Sequence, residues 1–251
     1  MERQKYISRS IIIMIILLFS IQSSFSQTTY SDSIYKAYSR GKMDKWFNIM
    51  KACEKSASHK SLAEQLELIS YYYGYTGWLI NAEKYDTAEK YIDKSEGIIN
   101  TLLNESPENA TLYAYKGAYI GFRIGLSKLK AVYLGRRSIK NIDKALELDP
   151  DNIQGNIEKG NSLYYCPSIF GGDKEEAITY YIRAVKSFEK QGLVVNNWMY
   201  INTMTALGQA YEATDQIQLA KVCYEKIMRI FPNFMWVEDE LYPDMIKRHK
   251  L

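Results

Sequence analysis

The sequence predicts an all-α chain: an α-solenoid of about five antiparallel helix pairs, closed by a C-terminal capping helix. Three observations predict it. No long run alternates apolar and polar residues, so the period-two signal of a strand is missing. Helix-start signals recur instead, at Ser61-x-x-Glu64, Asp86-x-x-Glu89, Asp173-x-x-Glu176 and Asp215-x-x-Gln218. Each pairs an oxygen acceptor with a Glu or Gln three residues on, which lets two unpaired backbone N–H groups find partners. Small and bulky residues also recur at fixed offsets along the chain. With 251 residues, 47% hydrophobic and 24% charged, the composition is that of a globular chain.

Residues 1–26 read as an export leader. Arg3, Lys5 and Arg9 precede an apolar block, Ile11 to Phe19, and Ser24-Phe25-Ser26 supplies a small-x-small step before Gln27. The block is shorter than the ~20 residues of a membrane-spanning helix; an uncleaved anchor is the competing reading. The first cysteine is Cys53, so no lipid-modified cysteine is expected near the junction.

The helical repeat domain is then 27–251, in an exported, periplasmic setting. Its first unit runs from Ser31 to Lys55 and turns at Gly41. The second places Tyr72, Tyr75, Thr76 and Leu79 before Ala88 and Ile92. The third is built on Tyr113, Gly117 and Ile120, then Ala145 and Pro150. The fourth sets Gly160 and Leu163 before Ala177, Tyr181 and Ala184. The fifth reads Met204-x2-Leu207-Gly208-x2-Tyr211, then Ala220-x3-Tyr224, then Pro232. Small residues there let two helices approach, bulky ones fill the space between them, and proline lacks the N–H that would extend the second helix. Phe234 to Leu251, with Met235, Trp236, Leu241, Met245 and Ile246, is expected to dock as the cap.

The fifth unit resembles the tetratricopeptide repeat at nearly every signature position and at its spacing. The small positions Thr76, Gly117, Gly160 and Gly208 are set further apart than that spacing allows, so HEAT-like pairs compete in the middle units. The resemblance implies a scaffold that binds a protein or peptide on its concave face, where Tyr73, Asn161, Tyr164 and Gln209 would lie. The loop from Pro167 to Ala177 is similar to one in periplasmic T-components of TRAP transporters, which implies a small anionic ligand as the alternative. A helical glycan-uptake protein of the outer membrane is a third reading, lowered by the missing N-terminal cysteine.

Chemistry is sparse. His59 and His249 are far apart in sequence and Cys53, Cys166 and Cys223 read as buried small residues, so neither a metal site nor a catalytic group is expected, and no cofactor. Charge is uneven, however. From Asn109 to Ile142 the chain carries Lys116, Arg123, Lys128, Lys130, Arg136, Arg137 and Lys140 and no carboxylate. This segment is either a solvated face or a patch for an acidic partner, with Lys116, Arg123, Arg136 and Arg137 as contacts. The formal charge of +3 and the export leader argue against nucleic acid. Gly117, Gly121 and Gly125 in the same segment predict close helix approach. The tyrosine runs Tyr71 to Tyr73, Tyr164-Tyr165 and Tyr180-Tyr181 predict that some rings reach the surface, because adjacent helical residues point ~100° apart.

Overall fold

The computed structural model describes residues 30–55 and 61–250; the expected leader and His59 lie outside them. Five antiparallel pairs follow one another: α1 (30–39) with α2 (Met43–Lys55), α3 (Leu62–Asn81) with α4 (Tyr85–Glu105), α5 (Ala110–Leu126) with α6 (Ala131–Leu148), α7 (Ile153–Tyr165) with α8 (Lys174–Lys190), and α9 (Trp198–Ala213) with α10 (Ile217–Ile230). A π-helical segment, Trp236–Leu241, and α11 (Tyr242–His249) close the array.

One packing rule generates the pairs. Each second helix buries a stripe spaced i, i+4, i+7: Trp46/Met50/Cys53, Ala88/Ile92/Ser95, Ser138/Ile142/Ala145, Ala177/Tyr181/Ala184 and Ala220/Tyr224/Ile227. Those offsets put three side chains on one helical face. Opposite them stand the small first-helix positions. A Cβ at Gly160 would lie 2.7 Å from Tyr181, at Gly208 2.5 Å from Tyr224, and at Gly117 2.6 Å from Ile142. The expected close approach therefore holds at Gly117. It fails at Gly121 and Gly125, where a Cβ would meet nothing nearer than 3.9 Å. The first unit departs from the rule, since Trp46 replaces the small residue of α2. Gly74 of the next pair makes room for it, since a Cβ there would lie 2.8 Å from the indole.

The middle units keep this register; the long spacings come from the longer helices α4 and α6 and from the longer connections on either side of α8. Pairs one, two and five share a tight turn in which an N–H reaches back to the carbonyl five residues earlier: Lys42 to Ala37, Lys84 to Leu79 and Gln216 to Tyr211, each at 2.8 Å. This is the Schellman closure, with a left-handed residue at Gly41, Glu83 or Asp215. Two of the four expected caps change accordingly. Ser61 forms the full reciprocal box with Glu64, and Asp173 accepts from the Glu176 N–H. Asp86 lies inside the first turn of α4, and Asp215 is the left-handed turn residue itself.

The array also closes on itself. Tyr38 of α1 donates to Asn202 Oδ1 of α9 at 2.7 Å and stacks on Phe234, while Trp198 of α9 meets Trp46 of α2 edge-on at 5.0 Å. Asn196 donates to Asp32 at 3.1 Å beside this contact. The first pair thus touches the last across the concave side, and the inner helices share an aromatic core. This corrects the expectation about Tyr71, Tyr72 and Tyr73, which are 2%, 0% and 8% exposed. Neighbours surround α3, with Trp46 against Tyr71, Tyr91 against Tyr72, and Tyr115, Phe122 and Trp198 against Tyr73. A helix apolar on every side is buried on every side. The cap docks chiefly through Phe234, Val237 and Met245; Met235 and Trp236 stay exposed.

Candidate functional site

The concave centre holds a buried carboxyl. Glu158 of α7 is 6% exposed and accepts from Gln154 Nε2 at 2.7 Å. Asn161, one turn on, donates to the Tyr73 hydroxyl at 3.2 Å and accepts from the Tyr181 hydroxyl at 2.9 Å. Burial raises the Glu158 pKa and bonds from Tyr73, Asn161 and Gln154 pull it back, leaving it at about 7. Burial next to this acid also pushes the Tyr73 hydroxyl well above the ordinary tyrosine value. The group is a polar tie between α3, α7 and α8, with Gln154 and Glu158 buried and Asn161 half-buried at its edge. Sequence inspection missed it. The signal was Ile153-Gln154-Gly155-Asn156-Ile157-Glu158, a half-helix too small and polar to be an ordinary core face.

The eight expected contact residues do not form one surface. Tyr73 is part of the core and offers no contact. Arg123 donates to Glu96 and Asp93 of α4 at 2.7 and 2.6 Å, and Lys116 donates to Asn100 at 3.0 Å. Both sit in the α4–α5 seam. Arg136 and Arg137 are exposed on α6. The cation-rich segment is therefore divided between a seam, where Arg123 is paired with acids and Lys116 is held by Asn100, and an outer helix.

Three of the eight do share a side. Asn161 and Tyr164 are one turn apart on α7, and Gln209 follows Gly208 as Asn161 follows Gly160, all half-buried. Tyr164 is fixed between the edge of Tyr165, centroids 4.9 Å apart, and the Lys174 ammonium, 5.5 Å over its ring. At the other inner helices the corresponding stretch carries Gly77 and Gly121, with room above both.

The Pro167–Ala177 loop has its amides committed. Gly171, Gly172 and Asp173 donate to the carbonyls of Ser168, Pro167 and Leu163 at 3.0–3.2 Å. A Cβ at Gly172 would fall 1.8 Å from the Cys166 carbonyl oxygen. Its glycines fold the loop onto α7, and those donors are not turned toward an anion. Cys53 and Cys223 are buried as expected, and burial pushes the Cys223 thiol up to about 12. Cys166 is only half-buried, at the end of α7.

Comparison with known proteins bears on the last pair. The tetratricopeptide repeat family matches residues 201–234. No curated protein matches the chain. Among solved structures, a thermophilic tetratricopeptide protein of Thermus thermophilus is 13% identical, with a TM-score of 0.48, over 86% of this chain and 92% of that one. The matched stretch is α9, its tight turn and α10, where Gly208 receives Tyr224. Residues 201–234 are therefore similar to a tetratricopeptide repeat, and four helix pairs on the same packing plan precede them.

Proposed function

We propose that the protein is an exported scaffold that holds a protein or peptide partner along the open end of its inner helices and carries out no reaction of its own. The observation behind this reading is the row Gly77, Gly121, Asn161, Tyr164 and Gln209, small or polar and half-exposed on successive inner helices. Bare glycine backbone admits close approach by another chain. Asn161 and Tyr164 are held in place by Tyr181, Lys174 and Tyr165, so ordering them costs a partner little entropy. The other end of the inner helices is filled with aromatic rings, which confines the partner to this rim. Repeat arrays present extended surfaces of this kind for binding. The basic segment has no part in it, so the partner need not be acidic.

Site-specific photocrosslinking tests the reading. A benzophenone side chain at Tyr164 or Gln209 should give one defined adduct in the producing cell, and the same probe at exposed Lys90 on α4 should give none. Adducts equal at all three positions would reject the rim as the contact. N-terminal sequencing of the envelope protein should begin at Gln27; a chain retaining Met1 to Ser26 would replace export and cleavage with anchoring.

A further inference from the structure

The outer ends of pairs three and four carry a feature the scaffold reading leaves unused. Each lengthened connection there holds a single 3-10 turn, Lys128–Lys130 after α5 and Ser168–Phe170 after α7. Both helices are first members of their pairs and run the same way, so the two turns leave the array at the same end, about one helix spacing (~8–10 Å) apart. Leu129 is 89% exposed, Ile169 85%, Phe170 73% and Tyr165 73%, with Tyr133 behind them at 58%. Val195 is the one other large apolar side chain of the described residues above 70%. The backbones beneath are tied, Lys130 N–H to Ser127 O at 2.9 Å and Phe170 N–H to Pro167 O at 2.8 Å, so these side chains are presented by fixed turns.

Charge backs the same end. Arg136, Arg137 and Lys140 are exposed on α6 just behind the first tip and have no ion-pair partner among the described residues. Carboxylates at this end stand behind the second tip and in the flanking turns, at Glu83 and Asp86 of pair two and Asp215 of pair five. Behind the second tip Asp173 caps α8, Glu175 accepts from Gln216 Nε2 at 2.8 Å, and Glu176 is followed by no further acid before Glu189.

We propose that this end of the array docks on an anionic lipid surface. Leu129, Ile169 and Phe170 enter the acyl boundary, Tyr133 and Tyr165 sit at headgroup level, and Arg136, Arg137 and Lys140 face the lipid phosphates. Protrusion favours this occupant over a peptide. An apolar helix needs a concave seat, whereas a fluid interface closes around a projecting tip, prefers tyrosine at its polar boundary, and attracts basic residues within a Debye length. The inference rests on other residues than the partner rim, which it borders where Tyr165 packs edge-on against Tyr164.

Flotation of the chain from residue 27, which holds every described helix, tests it. Vesicles of phosphatidylcholine with one third phosphatidylglycerol should carry the protein up at low salt, and phosphatidylcholine alone should not. I169S/F170S and L129S should each weaken partition by at least about tenfold, since they remove side chains that gain from leaving water. R136E/R137E should abolish the phosphatidylglycerol dependence, with circular dichroism and Tm unchanged in all three. Phe170→Trp should shift its emission to the blue on the vesicles and be quenched by brominated lipid. No flotation, flotation that these substitutions leave untouched, or a soluble protein crosslinked to position 170 in a vesicle-free extract would overturn the proposal.

Discussion

The fifth pair and the two before it are packed alike and turned differently. Gly208 against Tyr224 repeats Gly160 against Tyr181, and Gly117 against Ile142 is the same contact with a smaller knob. Yet α9 and α10 are joined by a closed turn at Asp215, whereas α5–α6 and α7–α8 are joined by longer segments with exposed apolar tips. Packing between paired helices sets the register, and the turn is free to grow. Family resemblance detected at fixed spacing therefore reaches the pair in which turn and helices both stayed short.

The widest test of the shared packing removes the knobs. Tyr224→Ala and Tyr181→Ala should each cost about 3–5 kcal/mol, as large-to-small changes at buried aromatic positions do. Hydrogen exchange should show the Tyr224 variant opening α10 and α11 first, because stability in a stacked array is a sum of neighbouring interfaces. Conservative truncation separates the pair. The Tyr181 hydroxyl donates to Asn161, while the Tyr224 hydroxyl has no partner among the described residues. Tyr181→Phe should lose about 1 kcal/mol and Tyr224→Phe nothing measurable in urea unfolding. Equal losses would break the distinction.

A second difference is chemical. Glu158 of pair four stands where pair five has Ala206. Its folded pKa of about 7 lies above the ordinary 4.5, so the folded state binds the proton more tightly than the unfolded chain. Stability from this group is full below about pH 4.5, falls as pH rises, and levels off above about 7, a loss of roughly 3 kcal/mol. Glu158→Gln keeps a neutral side chain in place. Its advantage over the parent should grow between pH 5 and pH 8, read as a widening gap in urea midpoint. A constant gap would mean that the acid is ionised at both pH values.

Much of the fold was legible and the site less so, for physical reasons that particular residues make plain. Gly208, Ala220 and Tyr224 announce a helix pair because their sizes answer one another across a single interface. Tyr71 to Tyr73 did not announce their burial, because that depends on α1 and α9 meeting over them from opposite ends of the chain. Arg123 looked like a free cation until α4 placed Asp93 and Glu96 beside it. Asp86 and Asp215 carried cap chemistry at the right offset, but the tight turn starts α4 before Asp86 and α10 after Asp215. Local contacts are written locally. Closure of the array is not.

The smallest expected effect concerns glycines that pack nothing. At Gly208 a Cβ would lie 2.5 Å from Tyr224, so Gly208→Ala should lose about 1–3 kcal/mol from crowding despite the better helix propensity of alanine. At Gly121 the nearest atom to a Cβ would be Ser138 Oγ at 3.9 Å, and the same change should gain about 0.5–1 kcal/mol. Thermal unfolding of the two variants should move in opposite directions. The sign at Gly121 then carries a functional consequence. A glycine that costs helix stability and relieves no crowding is explained by what approaches it from outside, so Gly121→Ala should raise Tm and yet weaken the crosslinked adduct at Tyr164. An undiminished adduct in the stabilised variant would leave that glycine without a role in binding and move the contact toward α7 and α9.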